Sequence, residues 1–115
     1  MCLASDGRYS VNSCARRGDI QMNYVVTTTW SHPAEMNKAE MATFQQTFSD
    51  NPDLLNIYWF EIDPTTHGSV SIFRDKAAYE TGLPRQQANR ERTSTESGIR
   101  MTHEAHGACF AILRS

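Results

Sequence analysis

The sequence predicts one α+β domain with elements in the order β-α-β-β-α-β. Three observations carry this. Residues 23–30, 54–62 and 69–73 are rich in aromatic and β-branched residues, which suit a pleated surface. Met36, Met41, Phe44 and Phe48 recur at helical spacing between the first two of those runs. Pro- and Gly-bearing punctuation separates the segments, at Asn51-Pro52-Asp53, between Asp63 and Gly68, and at Ser97-Gly98.

Each element has its own signal. Met22 opens the first strand pattern, carried by Tyr24, Val25, Val26 and a threonine run to Trp30. Ser31-His32-Pro33 reads as a helix start, because a Ser or His can cap, an early proline is tolerated and Glu35 suits the first turn. That helix is expected to reach Phe48 and to bury the Met/Phe stripe. The second strand is apolar on both parities, with Ile57 and Trp59 on one and Tyr58 and Phe60 on the other. The stretch Asp63-Pro64-Thr65-Thr66-His67-Gly68 reads as a turn, which leaves His67 in solvent. A third strand over 69–73 then pairs antiparallel with the second. A helix begins after Arg74-Asp75-Lys76, is interrupted by Gly82 and Pro84, and resumes over 85–96. Residues 99–113 form the last strand, with a bulge near Gly107.

This order gives a four-stranded antiparallel sheet with both helices on one face. An antiparallel sheet with one wet face alternates cleanly, and the second strand does not. Its other face therefore requires a cover, which a two-fold copy of the chain supplies.

The 115 residues fit a single domain, and at 39% hydrophobic the chain can bury a core without staples. A net charge of −2 gives no footprint for nucleic acid or an anionic membrane. No apolar run approaches the roughly 20 residues of a membrane helix, and the N-terminus lacks the apolar core of a secretory signal. Residues 1–21 have no strand or helix period and read as a disordered extension before a domain over 22–115. Cys2, Cys14 and Cys109 make no disulfide framework and suit a reducing cytoplasm. Cys109 lies in an apolar run and reads as a buried thiol.

The candidate chemistry is sparse. His103 and His106 stand three apart on a strand, so they point to opposite faces and make no metal site. The four arginines Arg85, Arg90, Arg92 and Arg100 alternate with Glu91 and Glu96, the pattern of a solvated helix face. No phosphate loop or nucleophile elbow is present.

Two stretches carry a resemblance. Asn51-Pro52-Asp53-Leu54-Leu55-Asn56-Ile57-Tyr58, a Pro–Gly turn, and then Ser69-Val70-Ser71-Ile72-Phe73-Arg74-Asp75-Lys76-Ala77-Ala78-Tyr79 resemble the dimeric α/β-barrel superfamily, in particular the antibiotic-biosynthesis-monooxygenase-like proteins. The likeness covers about residues 22–113. It implies a ferredoxin-like subunit whose sheet packs against that of a second copy, a homodimer. It also implies a pocket between sheet and helices for a small apolar or aromatic molecule. Haem-degrading members are similar to one another in a strand-one Asn, a Trp ending strand three and a His on the second helix. Here Thr27 and Phe73 stand at the first two positions, and no histidine lies between Lys76 and Glu96. Tyr79 is the only residue there of a type that ligates haem iron, so no cofactor is expected.

With Phe73 setting the phase by resemblance, Ser71 and Ser69 share its side, and Thr27, with Val25 and Thr29, takes the matching side of strand one. The expected site is then Thr27, Tyr58, Ser71 and Phe73 around the substrate, with His103 as the general base. Two functions compete: a cofactor-independent monooxygenase-like protein, and a non-catalytic dimeric ligand-binding or stress-associated module.

Overall fold

The computed structural model describes residues 22–114, so the expected disordered extension over 1–21 lies outside the described residues. The elements are β1 (Tyr24–Ser31), α1 (Lys38–Gln45) running into a 3₁₀ turn (Gln46–Asp50), β2 (Leu54–Asp63), β3 (Thr66–Phe73), α2 (Lys76–Ser97) and β4 (Arg100–Ala108). The sheet is antiparallel throughout, in the order β2-β3-β1-β4. This is the expected ferredoxin-like α+β fold.

Register defines two faces. Opposed residues share a face, so Tyr24 with Phe73, Val26 with Ser71, Thr28 with Ser69 and Trp30 with His67 lie on one side. Ile57 and Trp59 join it from β2, and His106 and Glu104 from β4. The core forms there. Tyr24, Val26, Phe73 and Tyr79 make a buried cluster, with Leu54 and Leu83 packed against it. Tyr79 of α2 meets Phe73 edge-on at 5.6 Å and Tyr24 at 4.9 Å, geometries that aromatic quadrupoles favour.

The opposite face carries Val25, Thr27 and Thr29, Tyr58 and Phe60, Val70 and Ile72, and His103, with Ile62 beside it at the irregularity between Glu61 and Asp63. Among the described residues nothing covers it: Tyr58, Phe60 and Ile62 are 58%, 51% and 52% exposed. The two apolar parities of the second strand thus separate as expected. On this face the Phe60 ring lies directly over Gly68, where an added Cβ would collide with Cζ of the ring.

Several expectations are corrected. The first helix starts at Lys38, not after Ser31, because the Asn37 side chain accepts from the Glu40 N–H and caps it. The Met/Phe stripe is not its buried face. Met36 is buried but precedes the helix, while Phe44 is 56% exposed. The tighter 3₁₀ turn rotates Phe48 out of phase with Phe44, so Phe48 meets Trp59 edge-on and Phe44 rests outside on Phe48. The second helix is continuous through Gly82 and Pro84. Asp75 caps its N-terminus through the Ala78 N–H, Gly98 closes it at φ 75°, and Pro84 and Glu80 face solvent, where water can satisfy the freed Glu80 carbonyl.

The last strand stops at Ala108, and Cys109 beyond it is only half-buried, with Phe110 82% exposed. The bulge falls where Thr29 opposes His103 but Trp30 opposes Met101, which leaves Thr102 unpaired, not at Gly107. Arg90 is not solvated. Its side chain is 16% exposed and bonds Glu104 at 2.9 Å, pinning α2 to β4.

Candidate active site

The turn between β2 and β3 is shorter than its composition suggests. Asp63 accepts from the Thr65 N–H at 2.9 Å, so Pro64 and Thr65 alone reverse the chain. Thr66, His67 and Gly68 then belong to β3, and His67 becomes a buried strand residue on the helix-facing side. The loop after β1 returns beside it, fixed by the His32 N–H on Thr65 O at 2.8 Å and the Met36 N–H on Pro64 O at 2.9 Å. That return sets His32 Nε2 at 2.7 Å from His67 Nδ1.

Two indoles frame the pair. Trp30 lies parallel to the His67 ring, with centroids 6.4 Å apart, and Trp59 is tilted at 5.5 Å. Trp30 is held by its Nε1–H donating to Thr28 Oγ1 at 2.8 Å, and Thr28 bonds Ser69 in turn. These buried hydroxyls therefore satisfy one another. Burial first, and the neighbouring His32 charge second, push the His67 imidazole down to about 4. Burial also lowers His32. The pair is therefore neutral near pH 7, with one ring N–H donated to the other ring.

His67 forms one wall of a cleft of about 320 Å³ between α1 and β2. Met36, Met41, Ile57 and Trp59 supply apolar surface, and Gln45, Glu61 and Lys38 stand in its lining. Lys38 bonds Glu61 at 2.6 Å, so the charges are paired. A cleft of this size lies at the lower end of the range for small-molecule sites, and its lining mixes apolar surface with amide, imidazole and paired charged groups. Among the described residues, His67 Nε2 has no hydrogen-bond partner, which leaves it free for a ligand.

The five residues expected from sequence do not converge. Ser71 and Phe73 lie on the helix-facing side, and Phe73 is 5% exposed within the core. Thr27 is opposite Val70, not Ser71, and so takes the other face, as does His103 opposite Thr29. Tyr58 borders the cleft from the edge strand, but its strand position belongs to the exposed face. His103 and His106 point apart, as expected. Sequence reasoning missed His67 and His32. Counting back by twos from Phe73 through Ser71 and Ser69 reaches His67, so that residue was within reach; no comparable signal marks His32.

This four-stranded antiparallel sheet with its two helices has the fold of antibiotic-biosynthesis-monooxygenase-like proteins, in agreement with the resemblance read from the sequence. A protein classed as an antibiotic biosynthesis monooxygenase from Chloroflexus aurantiacus superposes with a TM-score of 0.59 at 12% identity, over 77% of this chain and 94% of that one. The ActVA-Orf6 monooxygenase of Streptomyces coelicolor, solved in complex with Nanaomycin D, gives 0.56 at 20% identity over 85% and 97%. SnoaB of Streptomyces nogalater, a cofactor-independent oxygenase, gives 0.51 at 12% identity over 81% and 96%. No family model and no curated protein matches the chain. Among the described residues no helix is long and apolar enough to cross a membrane.

Proposed function

We propose that the protein is a cofactor-independent monooxygenase-like enzyme that takes a small, flat aromatic or keto-aromatic molecule into the cleft between α1 and β2. The observation that carries this is a buried imidazole, His67, in the cleft wall beside the Trp59 ring. Structural neighbours that are oxygenases, one of them cofactor-independent and another solved with Nanaomycin D, support it. The role expected of His103 passes to His67. Trp59 offers a ring face for stacking, and the thioethers of Met36 and Met41 adapt to ligand shape. His67 Nε2 takes a proton from an acidic C–H or phenolic O–H. The electron pair left on the substrate makes it rich enough to reduce O₂ directly. Burial of His67 keeps the base unprotonated before substrate arrives.

Binding is tested by quenching of tryptophan fluorescence with 2-naphthol. The wild type is expected to quench saturably, and Trp59→Ala to bind roughly tenfold more weakly, the loss of about 1.4 kcal/mol of stacking and burial. No saturable quenching in the wild type would remove the cleft as a ligand site. Binding without turnover of any phenol or ketone would favour the ligand-binding module instead.

The reading includes a cytoplasmic homodimer through the exposed sheet face. Tyr58, Phe60 and Ile62 form an apolar patch on one edge of it, and Val70 and Ile72 continue it inward. A second copy meets the same patch with itself across a two-fold axis. Gly68→Ala displaces the Phe60 ring and is expected to weaken the dimer at least ~10-fold while sparing the monomer's core. Sedimentation equilibrium reads this directly. An unchanged dimer would place the interface elsewhere, and a monomeric wild type would end the barrel.

A further inference from the structure

We propose that His32 and His67 form a two-imidazole proton relay that carries the substrate's proton from the cleft to solvent. The inference rests on the reading of His67 as the base, and assigns His32 the further role of a positioning and relay residue.

The geometry supplies each link. His67 Nδ1 faces His32 Nε2 at 2.7 Å, which leaves Nε2, on the far side of a ring that lines the cleft, without a partner among the described residues. His32 is half-buried, and its Nδ1 has no partner among the described residues. A path therefore runs from cleft to His67 Nε2, through its ring to Nδ1, across to His32 Nε2, and from His32 Nδ1 to water. The step balances. The substrate C–H bond breaks with its electron pair left on carbon, and its proton bonds to His67 Nε2. The Nδ1 proton of His67 moves to His32 Nε2, and the Nδ1 proton of His32 leaves to water. Both rings end neutral, each as the other tautomer, and a later proton from solvent by the same route resets them.

The arrangement also answers a difficulty. A lone imidazole held down to about 4 releases a proton far more readily than it keeps one, so His67 alone is a weak base. Passing the charge outward removes the need to hold it. The neighbours fit this use. Trp30 and Trp59 bring no charge, and their ring faces favour a transient cation between them. Glu61, the carboxylate opposite His67 on β2, is already bound to Lys38. The backbone bonds from His32 to Thr65 and from Met36 to Pro64 fix the loop, so the two rings meet without a conformational change.

The test uses 2-tetralone, a bicyclic ketone with an acidic benzylic C–H, in anaerobic D₂O, with deuterium uptake followed by proton NMR. The wild type is expected to accelerate exchange at C1, and His67→Ala to lose that acceleration, which general-base catalysis sets at 10²-fold or more. His32→Ala and His32→Gln are expected to slow exchange roughly tenfold or more while binding 2-tetralone as tightly as the wild type. Gln is the sharper variant. Its amide can accept the His67 N–H and hold the ring, but cannot pass a proton on. Added free imidazole is expected to restore exchange in His32→Ala. Wild-type exchange rates in His32→Gln, or failure of imidazole to rescue His32→Ala, would overturn the relay and leave His67 as a base. Absence of exchange in the wild type, with 2-tetralone bound, would overturn the base itself and the relay with it.

Discussion

Replacing Phe73 with Ala is expected to destabilise the protein by about 3–5 kcal/mol, the usual cost of emptying a buried Phe site. Phe73 is 5% exposed, opposes Tyr24 across the sheet, and meets Tyr79 of α2 edge-on. It is the point where β1, β3 and α2 hold one another. The ring leaves a cavity that Leu54 and Leu83, only partly buried, cannot fill without moving β2 or α2. A domain of this size has little to spare, since typical stabilities are about 5–15 kcal/mol. Urea unfolding followed by tryptophan fluorescence reads the effect as a fall in midpoint at unchanged slope. The experiment also decides a question the sequence left open. A Phe73 that lined a ligand site would lose binding on truncation and keep stability. The structure places it in the core, so stability falls and the affinity of the cleft for 2-naphthol in the surviving folded fraction stays the same.

That contrast shows where the sequence stops being legible. Element order follows from local pattern, and the pattern was strong. The double parity of Ile57-Tyr58-Trp59-Phe60 announced a sheet wanted on both faces, and the structure separates those residues as the alternation demands. Facing partners are another matter. Thr27 or Val26 opposite Ser71 depends on the register of two strands far apart in sequence, and a shift of one residue flips every side chain. Nothing local in the threonine run decides it. The His67 error has a different origin. Pro64 and Gly68 bracket a segment that reads as a turn, but only Pro64 belongs to one. Gly68 is there because Phe60 lies across it, a cross-strand reason that composition cannot reveal. The His32–His67 contact depends in turn on that short turn and on the loop bonded to it, so the candidate site emerges only once the chain is folded.

Acidification from pH 7 to about 4 is expected to cost the fold about 2–3 kcal/mol through the histidine pair, beyond what solvent-exposed groups contribute. In the unfolded chain His67 takes up a proton near the ordinary value of 6.5, whereas in the fold burial and the His32 charge hold it off until about 4. Between these values the unfolded state binds more protons than the folded one. Stability therefore rises with pH across the window. It is complete above about 6.5 and is lost as pH falls toward 4. His32, lowered in the same direction, adds to the same window. Asp63 does not interfere. Hydrogen bonds from Thr65 and Thr66 lower its carboxyl from 3.8, so its contribution is lost only at more acid pH.

Melting temperature measured at half-unit steps should fall through this range in the wild type and much less in His67→Gln, whose amide cannot charge. A flat wild-type profile, or an equal slope in the variant, would show that the pair carries no such linkage. The same protonation bears on function. Once a proton occupies the pair before substrate binds, neither ring can accept another, so deuterium exchange into 2-tetralone is expected to fall as the pair charges. Loss of exchange in parallel with loss of stability, both removed by changing His67, would tie the base and the fold's acid sensitivity to one hydrogen-bonded pair.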